Sequence, residues 1–554
     1  MKNIFVLLTL FLTTCTLFSQ IAPDKYYVQF TDKNNSPYSI DNPSSFLSQR
    51  AIARRTLYGI QITNQDMPVN PEYINGVAAT GVTILNPTKW LNGLTIFTND
   101  LLALDAIAVL PYVANIRGSG KKINKKHKKP FLENESIIES TSQNISNKRG
   151  ELDYGASYNQ INMISGIPLH ESGFLGQGMV ISVLDAGFRN VDNLPVFDSL
   201  WANNQILGTK DFVAQGIFVF DYHGHGTSVL STMGGYFPGE LIGTAPKASY
   251  WLLRSEEANG KAPENIIEEY NWVSAAEFAD SVGTDIISSS LGYTTFDDAT
   301  QDHTYADMDG NTTPITIGAD IAASKGILVV NSAGNSGGDL WHYIGAPADG
   351  DSVFTIGAVS PDSLLASFSS RGPTVDGRTK PNIAAQGSPA WVASSGGNFA
   401  NGYGTSFSSP IIAGMCACLW QSNPNSSNMD IINALQQSAS YYTTPNDDYG
   451  YGIPNFAIAN ELFIEKTNFN SIVKISPNPC SFNLQIIYLT DKAKTVLVEV
   501  FDITGKLIIS FNKNLLFKGN TIISLPNIND FTSGMYVVRI ISDDDVSSAK
   551  FIKY

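Results

Sequence analysis

The chain has 554 residues, 43% of them hydrophobic and 15% charged, with a net charge of −15; this balance excludes extensive disorder and points to two or three domains. A pI near 4.8 excludes nucleic acid as a partner, because phosphate binding needs clustered cations. Only Cys15, Cys416, Cys418 and Cys480 occur, and two cysteines two residues apart on a helix point to different faces, so no disulfide framework follows.

Lys2, the apolar run Ile4 to Leu12 and small and polar residues to Gln20 follow the order of a secretory signal peptide, assigned to residues 1–20. No other stretch approaches the roughly 18 apolar residues of a membrane span, so the mature form is expected to have no transmembrane helix. Residues 21–118 alternate short apolar strands (Tyr26 to Phe30, Gly93 to Phe97) with helix-like stretches (Phe46 to Leu57), a small α+β pattern. Residues 119–150 are rich in Lys, Asn, Ser and Glu without periodicity. Their basic run, Lys121 to Lys129, reads as a solvated linker open to proteolysis.

From 151 to 465 near-continuous apolar strands (Met179 to Leu184, Asp285 to Ser290, Ile327 to Asn331) alternate with helical patterns (Glu264 to Ser281, Ile317 to Ser324). This predicts an α/β domain with a parallel sheet covered on both faces, whose sites form beyond the carboxyl ends of the strands. In 466–554 the period changes to two: Val496, Val498 and Val500 alternate with polar residues, and Asp502-Ile503-Thr504-Gly505 forms a turn. The expected architecture there is a small β-sandwich.

Four local frames carry chemistry. Asp185 closes a buried strand before Ala186-Gly187, and a buried carboxylate needs a partner. His223-Gly224-His225-Gly226-Thr227-Ser228 sets two imidazoles in a Gly-rich turn before a helical run. Asn335, in Ser332-Ala333-Gly334-Asn335, follows a strand with an amide able to donate to an oxyanion. Gly404-Thr405-Ser406-Phe407-Ser408-Ser409-Pro410 leads into the apolar helix Ile411 to Gln421, where Ser406 meets the positive helix end and Pro410 is read as a first-turn residue. Each alone is weak: a loop Asp, surface histidines, an ordinary Ser cap. Their order is specific.

These segments, with Gly243-Thr244-Ala245-Pro246 and Ser290-Leu291-Gly292 between them, resemble the motifs of the subtilisin-like serine proteases over residues 151–465. The resemblance implies a triad of Asp185, His225 and Ser406, with Asn335 as oxyanion donor. It also implies that Ser290, Leu291 and Gly292 pair with an extended polypeptide substrate by β-augmentation, and that Ala333, Gly334 and Gly345 line a roomy pocket for large apolar side chains. His223 matches no catalytic position. The chemistry requires no cofactor or metal; calcium often supports this family, but Asp307-Met308-Asp309-Gly310-Asn311 lacks the sixth-position Gly and distal Glu of an EF-hand loop. The resemblance further suggests a cis Ala346–Pro347 bond.

Residues 25–110 resemble the inhibitory propeptide of the same proteases, through Phe46 to Ala51 and Trp90-Leu91-Asn92, which would make the protein's own propeptide a partner, released by cleavage within 119–150. Residues 474–554 resemble the C-terminal sorting domain of type IX secretion substrates, through Ile475-Ser476-Pro477-Asn478-Pro479, Gly534-Met535-Tyr536 and the ending Lys550 to Tyr554. The expectation is a zymogen exported by the type IX machinery, released or held at the cell surface. A non-catalytic adhesin on the same scaffold and an esterase are the rival readings.

Overall fold

The computed structural model describes residues 24–120, 129, 131, 135–139, 148–149, 151–258, 263–465, 473–481, 484–490, 494–515, 519–542 and 545–554. The predicted leader with Cys15, and the basic run as far as Lys128, lie outside the described residues.

Seven strands form the central sheet, in spatial order Ile383–Gln386, Phe354–Val359, Leu328–Ser332, Ile286–Ser289, Val180–Asp185, Ser249–Arg254 and Ile206–Asp211, every pairing parallel. Successive side chains on a strand leave by opposite faces, and the runs use both. Val183, Ile286 and Val330 join one buried cluster; Leu184, Ile287 and Val329 join another. The helices His225–Gly234 and Thr405–Ser422 supply Leu230 and Phe407 to the first. The helices Ile267–Val282 and Pro314–Ser324 supply Trp272 and Ala319 to the second. The α/β expectation holds, and the apolar runs are continuous because both faces are covered.

The chain leaves Val180–Asp185 for the strand two places away and later returns to the other side of it, at Ile286–Ser289. The order therefore reverses at the strand that ends in Asp185, where open α/β sheets build their sites.

The helix Ile267–Val282 buries Glu268, Glu269, Glu277 and Asp280 as well as its apolar residues. An outer helix with buried acids needs a second cover, and residues 25–118 provide it. Strands Thr83–Thr88, Gly93–Phe97, Lys25–Phe30 and Val113–Gly118, in that order, form an antiparallel sheet, with helices at Gln49–Leu57, Pro71–Ala78 and Leu101–Ala108. Asp280 accepts from Arg54 at 2.7 Å, Arg55 at 2.8 Å and Lys89 at 3.1 Å. Both Glu277 oxygens accept backbone N–H groups, Lys89 at 2.6 Å and Trp90 at 2.8 Å. Burial alone would raise the Asp280 carboxyl; Lys89, Arg55 and Arg54 hold it well below its usual value. The predicted helix from Phe46 starts only at Gln49, because Ser48 Oγ caps it by accepting from Ala51 N–H.

At the C-terminus, antiparallel sheets of Val473–Ser476, Gln485–Thr490 and Gly519–Ser524, and of Leu507–Leu515, Lys494–Asp502, Gly534–Ser542 and Asp545–Lys553, share one core containing Val496, Val498, Val500, Ile486 and Tyr488. The period-two pattern thus makes the expected sandwich. Asp502 Oδ1 accepts from Thr504 and Lys506 N–H at 2.8 and 3.0 Å, which closes the predicted turn.

Candidate active site

Asp185 is fully buried at its strand end. Its Oδ1 accepts from Ala186 N–H at 2.7 Å and lies 2.7 Å from His225 Nδ1, so the buried carboxylate has the partner that desolvation demands. A backbone bond from Gly226 N–H to Gly187 O, 3.1 Å, brings the two segments together. A Cβ at Gly226 would stand 2.5 Å from that same oxygen, so only glycine permits the approach. His225 opens its helix instead of preceding it. Burial would depress the imidazole, yet Asp185 and Glu135 hold its pKa well above the ordinary value. His223 Nδ1 accepts from His225 N–H at 3.3 Å, so His223 supports the helix start.

Ser406 is the second residue of the helix Thr405–Ser422, which begins six residues earlier than expected. Pro410 is therefore inside the helix and not in its first turn. Proline has no N–H for the carbonyl four residues back. That carbonyl belongs to Ser406, and Ser290 Oγ donates to it at 2.9 Å. The hydroxyl of Ser290, a predicted substrate-pairing residue, thus compensates for Pro410.

Asn335 reaches the same place from the end of the strand Leu328–Ser332. Its Oδ1 accepts from Thr405 N–H at 2.9 Å and Thr405 Oγ1 at 3.0 Å, which turns its Nδ2 outward to donate. Gly334, at φ +104°, makes the turn, a conformation that L side chains avoid.

Nδ2 donates, at 3.0 Å, to the carbonyl of Phe131. Phe131 is 6% exposed and borders a pocket lined by Gly292, Ala333, Gly334, Gly345, Trp341 and Tyr343. The predicted pocket residues are thus together, with two aromatics that their spacing in the sequence did not reveal. Lys129, also buried, places its ammonium beside Glu256, Glu264 and Glu268. Glu135 Oε2 stands 3.2 Å from His225 Nε2 without hydrogen-bond alignment. The residues Ser136–Glu139 then add as an antiparallel strand to Phe399–Tyr403. The solvated-linker reading is corrected at Lys129: three carboxylates outweigh its hydration. Among the described residues the added strand lies on Phe399–Tyr403, not on Ser288 to Gly292; Leu291 is fully buried, and its carbonyl accepts from Asn331 Nδ2 at 3.1 Å.

At 307–311 the carboxylates serve their own turns. Asp307 accepts from Thr304 N–H and Oγ1 at 2.7 and 2.8 Å, and Asp309 from Asn311 N–H at 2.8 Å, so these residues do not fit a calcium cage. Cys416 and Cys418 are buried free thiols, Cys418 Sγ donating to Thr244 O at 3.1 Å. Ala346–Pro347 is cis. No helix of the described residues is long and apolar enough to cross a membrane.

Residues 176–452 match the subtilase family, 25–150 the peptidase S8 propeptide domain of Bacteroidota, and 474–554 a secretion system C-terminal sorting domain. Among similar curated proteins is serine protease AprX of Bacillus subtilis (strain 168), 30% identical over 50% of this chain and 65% of that protein. Subtilisin E of the same organism is 27% identical over 61% of this chain and 77% of its own. Subtilisin of Bacillus pumilus is 27% identical over 54% of this chain and 97% of that protein.

Proposed function

This chain belongs to the subtilase family, and we propose that it is a secreted serine endopeptidase made as a zymogen, with Asp185, His225 and Ser406 as its triad. Ser406 Oγ attacks the scissile carbonyl while His225 accepts the hydroxyl proton and passes it to the leaving amine; water then releases the acyl group by the same route. Asp185, 2.7 Å from Nδ1, fixes the tautomer that leaves Nε2 toward the reaction. Asn335 Nδ2 and the Ser406 N–H receive the oxyanion, at about 3 kcal/mol for such a donor.

The observation that carries this reading is the carbonyl of Phe131 on Asn335 Nδ2 at 3.0 Å: a peptide carbonyl of the chain itself lies at the electrophilic end of the site. The pocket beside it, widened by Gly292, Gly334 and Gly345 and walled by Trp341 and Tyr343, suits a large apolar side chain before the cut. Residues 25–118, packed on the acidic helix, act as the inhibitory propeptide. The C-terminal sandwich, matching a sorting domain, directs type IX export to the cell surface or medium, following the leader at residues 1–20.

Labelling with a serine-directed phosphonate tests the assignment: the processed enzyme should label and the Ser406→Ala chain should not. Labelling that persists after the substitution refutes it. Turnover of peptide amides, and not only esters, separates an endopeptidase from an esterase.

A further inference from the structure

The structure places an ammonium where a catalytic domain alone would leave three buried acids. Glu256 is fully buried, Glu264 1% exposed and Glu268 4% exposed. Lys129 Nζ donates to Glu256 Oε1 and, at 2.7 Å, to Glu268 Oε2, and it lies 2.6 Å from Glu264 Oε2. The Glu264 carboxyl oxygens have no aligned hydrogen bond, and Oε2 meets Lys129 by ion pairing. Tyr293 OH donates to the second oxygen of Glu256 and fixes that carboxylate. Two residues on, the Phe131 carbonyl meets Asn335 and its residue borders the apolar pocket. Lys129 and Phe131 therefore meet an acidic pocket and the oxyanion donor within three positions of the chain.

We propose that Glu256, Glu264 and Glu268 form a substrate subsite for the side chain of a lysine that is the third residue before the cleaved bond, and that Lys129-Pro130-Phe131 is the chain's own substrate sequence, cut between Phe131 and Leu132. This rests on the catalytic reading above. In the cut, Ser406 Oγ bonds to the Phe131 carbonyl carbon, and the bond from that carbon to the Leu132 nitrogen breaks. The hydroxyl proton passes through His225 to the Leu132 amine. Water then supplies the hydroxyl that completes the Phe131 carboxyl group and the proton that restores Ser406.

The pocket suits one monovalent cation of lysine length. Burial would lower the ammonium, but Glu256, Glu264 and Glu268 hold Lys129 well above its ordinary value. Burial raises Glu264 to about 8 and Glu268 well above its ordinary value, even with Lys129 present. All three carboxyl groups converge on one ammonium, so the site holds a single cation. A lysine that withdraws with the released propeptide leaves a site that a substrate lysine refills. A bare alkyl group gains nothing from the carboxylates and still strips them of water.

Processed enzyme from the full chain is assayed on two anilide peptides, Ala-Lys-Pro-Phe and Ala-Ala-Pro-Phe, and its new N-terminus is sequenced. The expected result is a kcat/KM about 10- to 100-fold higher for the lysine peptide, the range of a hydrogen bond to a charged group, with an N-terminus at Leu132. The E256Q/E264Q/E268Q chain should lose that ratio. Equal turnover of the two peptides by the wild type, or a first cut elsewhere, overturns the proposal while leaving the protease standing. A rate that follows added calcium and falls with EDTA, irrespective of the lysine, assigns the acids to a metal and overturns it too. Absence of both turnover and phosphonate labelling removes the catalytic reading itself.

Discussion

Glu135 Oε2 lies 3.2 Å from His225 Nε2, the ring nitrogen opposite the one that faces Asp185. The imidazole of the uncut chain is therefore held between two carboxylates. A protonated imidazole accepts no proton from serine, so the proposed role of His225 as base predicts that Glu135, by favouring the protonated ring, slows the first cut.

Glu135→Gln should lower the His225 pKa, which Asp185 and Glu135 raise against the effect of burial, and should speed maturation. Histidine NMR titration of the uncut Ser406→Ala chain, with and without the substitution, checks the shift. The sign of the stability effect follows. A raised pKa contributes stability fully below the unfolded value of about 6.5, and loses it as pH rises through the folded value. The destabilisation by Glu135→Gln should thus be largest below neutrality and fade in alkali. An unchanged titration would remove Glu135 from this role.

Asn335→Ala should lower kcat by about 10²- to 10³-fold with little change in KM, the signature of a donor that acts on the transition state. Steady-state kinetics on one peptide suffice. A loss confined to KM would show that Nδ2 binds ground state and transition state alike.

Asp280→Ala leaves Arg54, Arg55 and Lys89 without their shared carboxylate. Removing one partner of a buried ion network costs about 3–5 kcal/mol, so urea unfolding of the uncut Ser406→Ala chain should shift by that amount. Because Asp280 is held below its usual value, the contribution is present above the unfolded pKa of about 3.9 and is lost as pH falls toward the folded value. Wild type and variant should converge in acid.

Gly283 ends the acidic helix at φ +89°, and a Cβ there would stand 2.6 Å from Arg50 Cβ of the propeptide. Gly283→Ala should cost about 1 kcal/mol in the processed enzyme from backbone conformation alone, and more in the uncut chain. Equal losses in both forms would mean that Arg50 yields freely.

Ser290→Ala should destabilise the domain by about 1–3 kcal/mol, since the Ser406 carbonyl then has neither Pro410 nor a hydroxyl to bond. A thermal melt measures the cost. Ser290→Thr, which keeps a hydroxyl, should recover part of it.

Changes of hydrophobic period mark the parallel sheet and the sandwich in the bare chain: buried strand runs for the first, and Val496, Val498 and Val500 for the second. Periodicity is local and survives in the bare chain. It also brought Asp185, His225, Asn335 and Ser406 to attention, because strand ends and helix starts are written in short segments. What meets across long separations is visible in the folded chain alone. Lys129 lies in a polar stretch that reads as solvated, and nothing within ten residues of it announces the three acids more than a hundred positions away. Pro410 reads as a helix-start residue until Ser290 is seen on the Ser406 carbonyl. Buried charges and orphaned carbonyls are settled by partners brought together in space, and a one-dimensional pattern carries no record of that pairing.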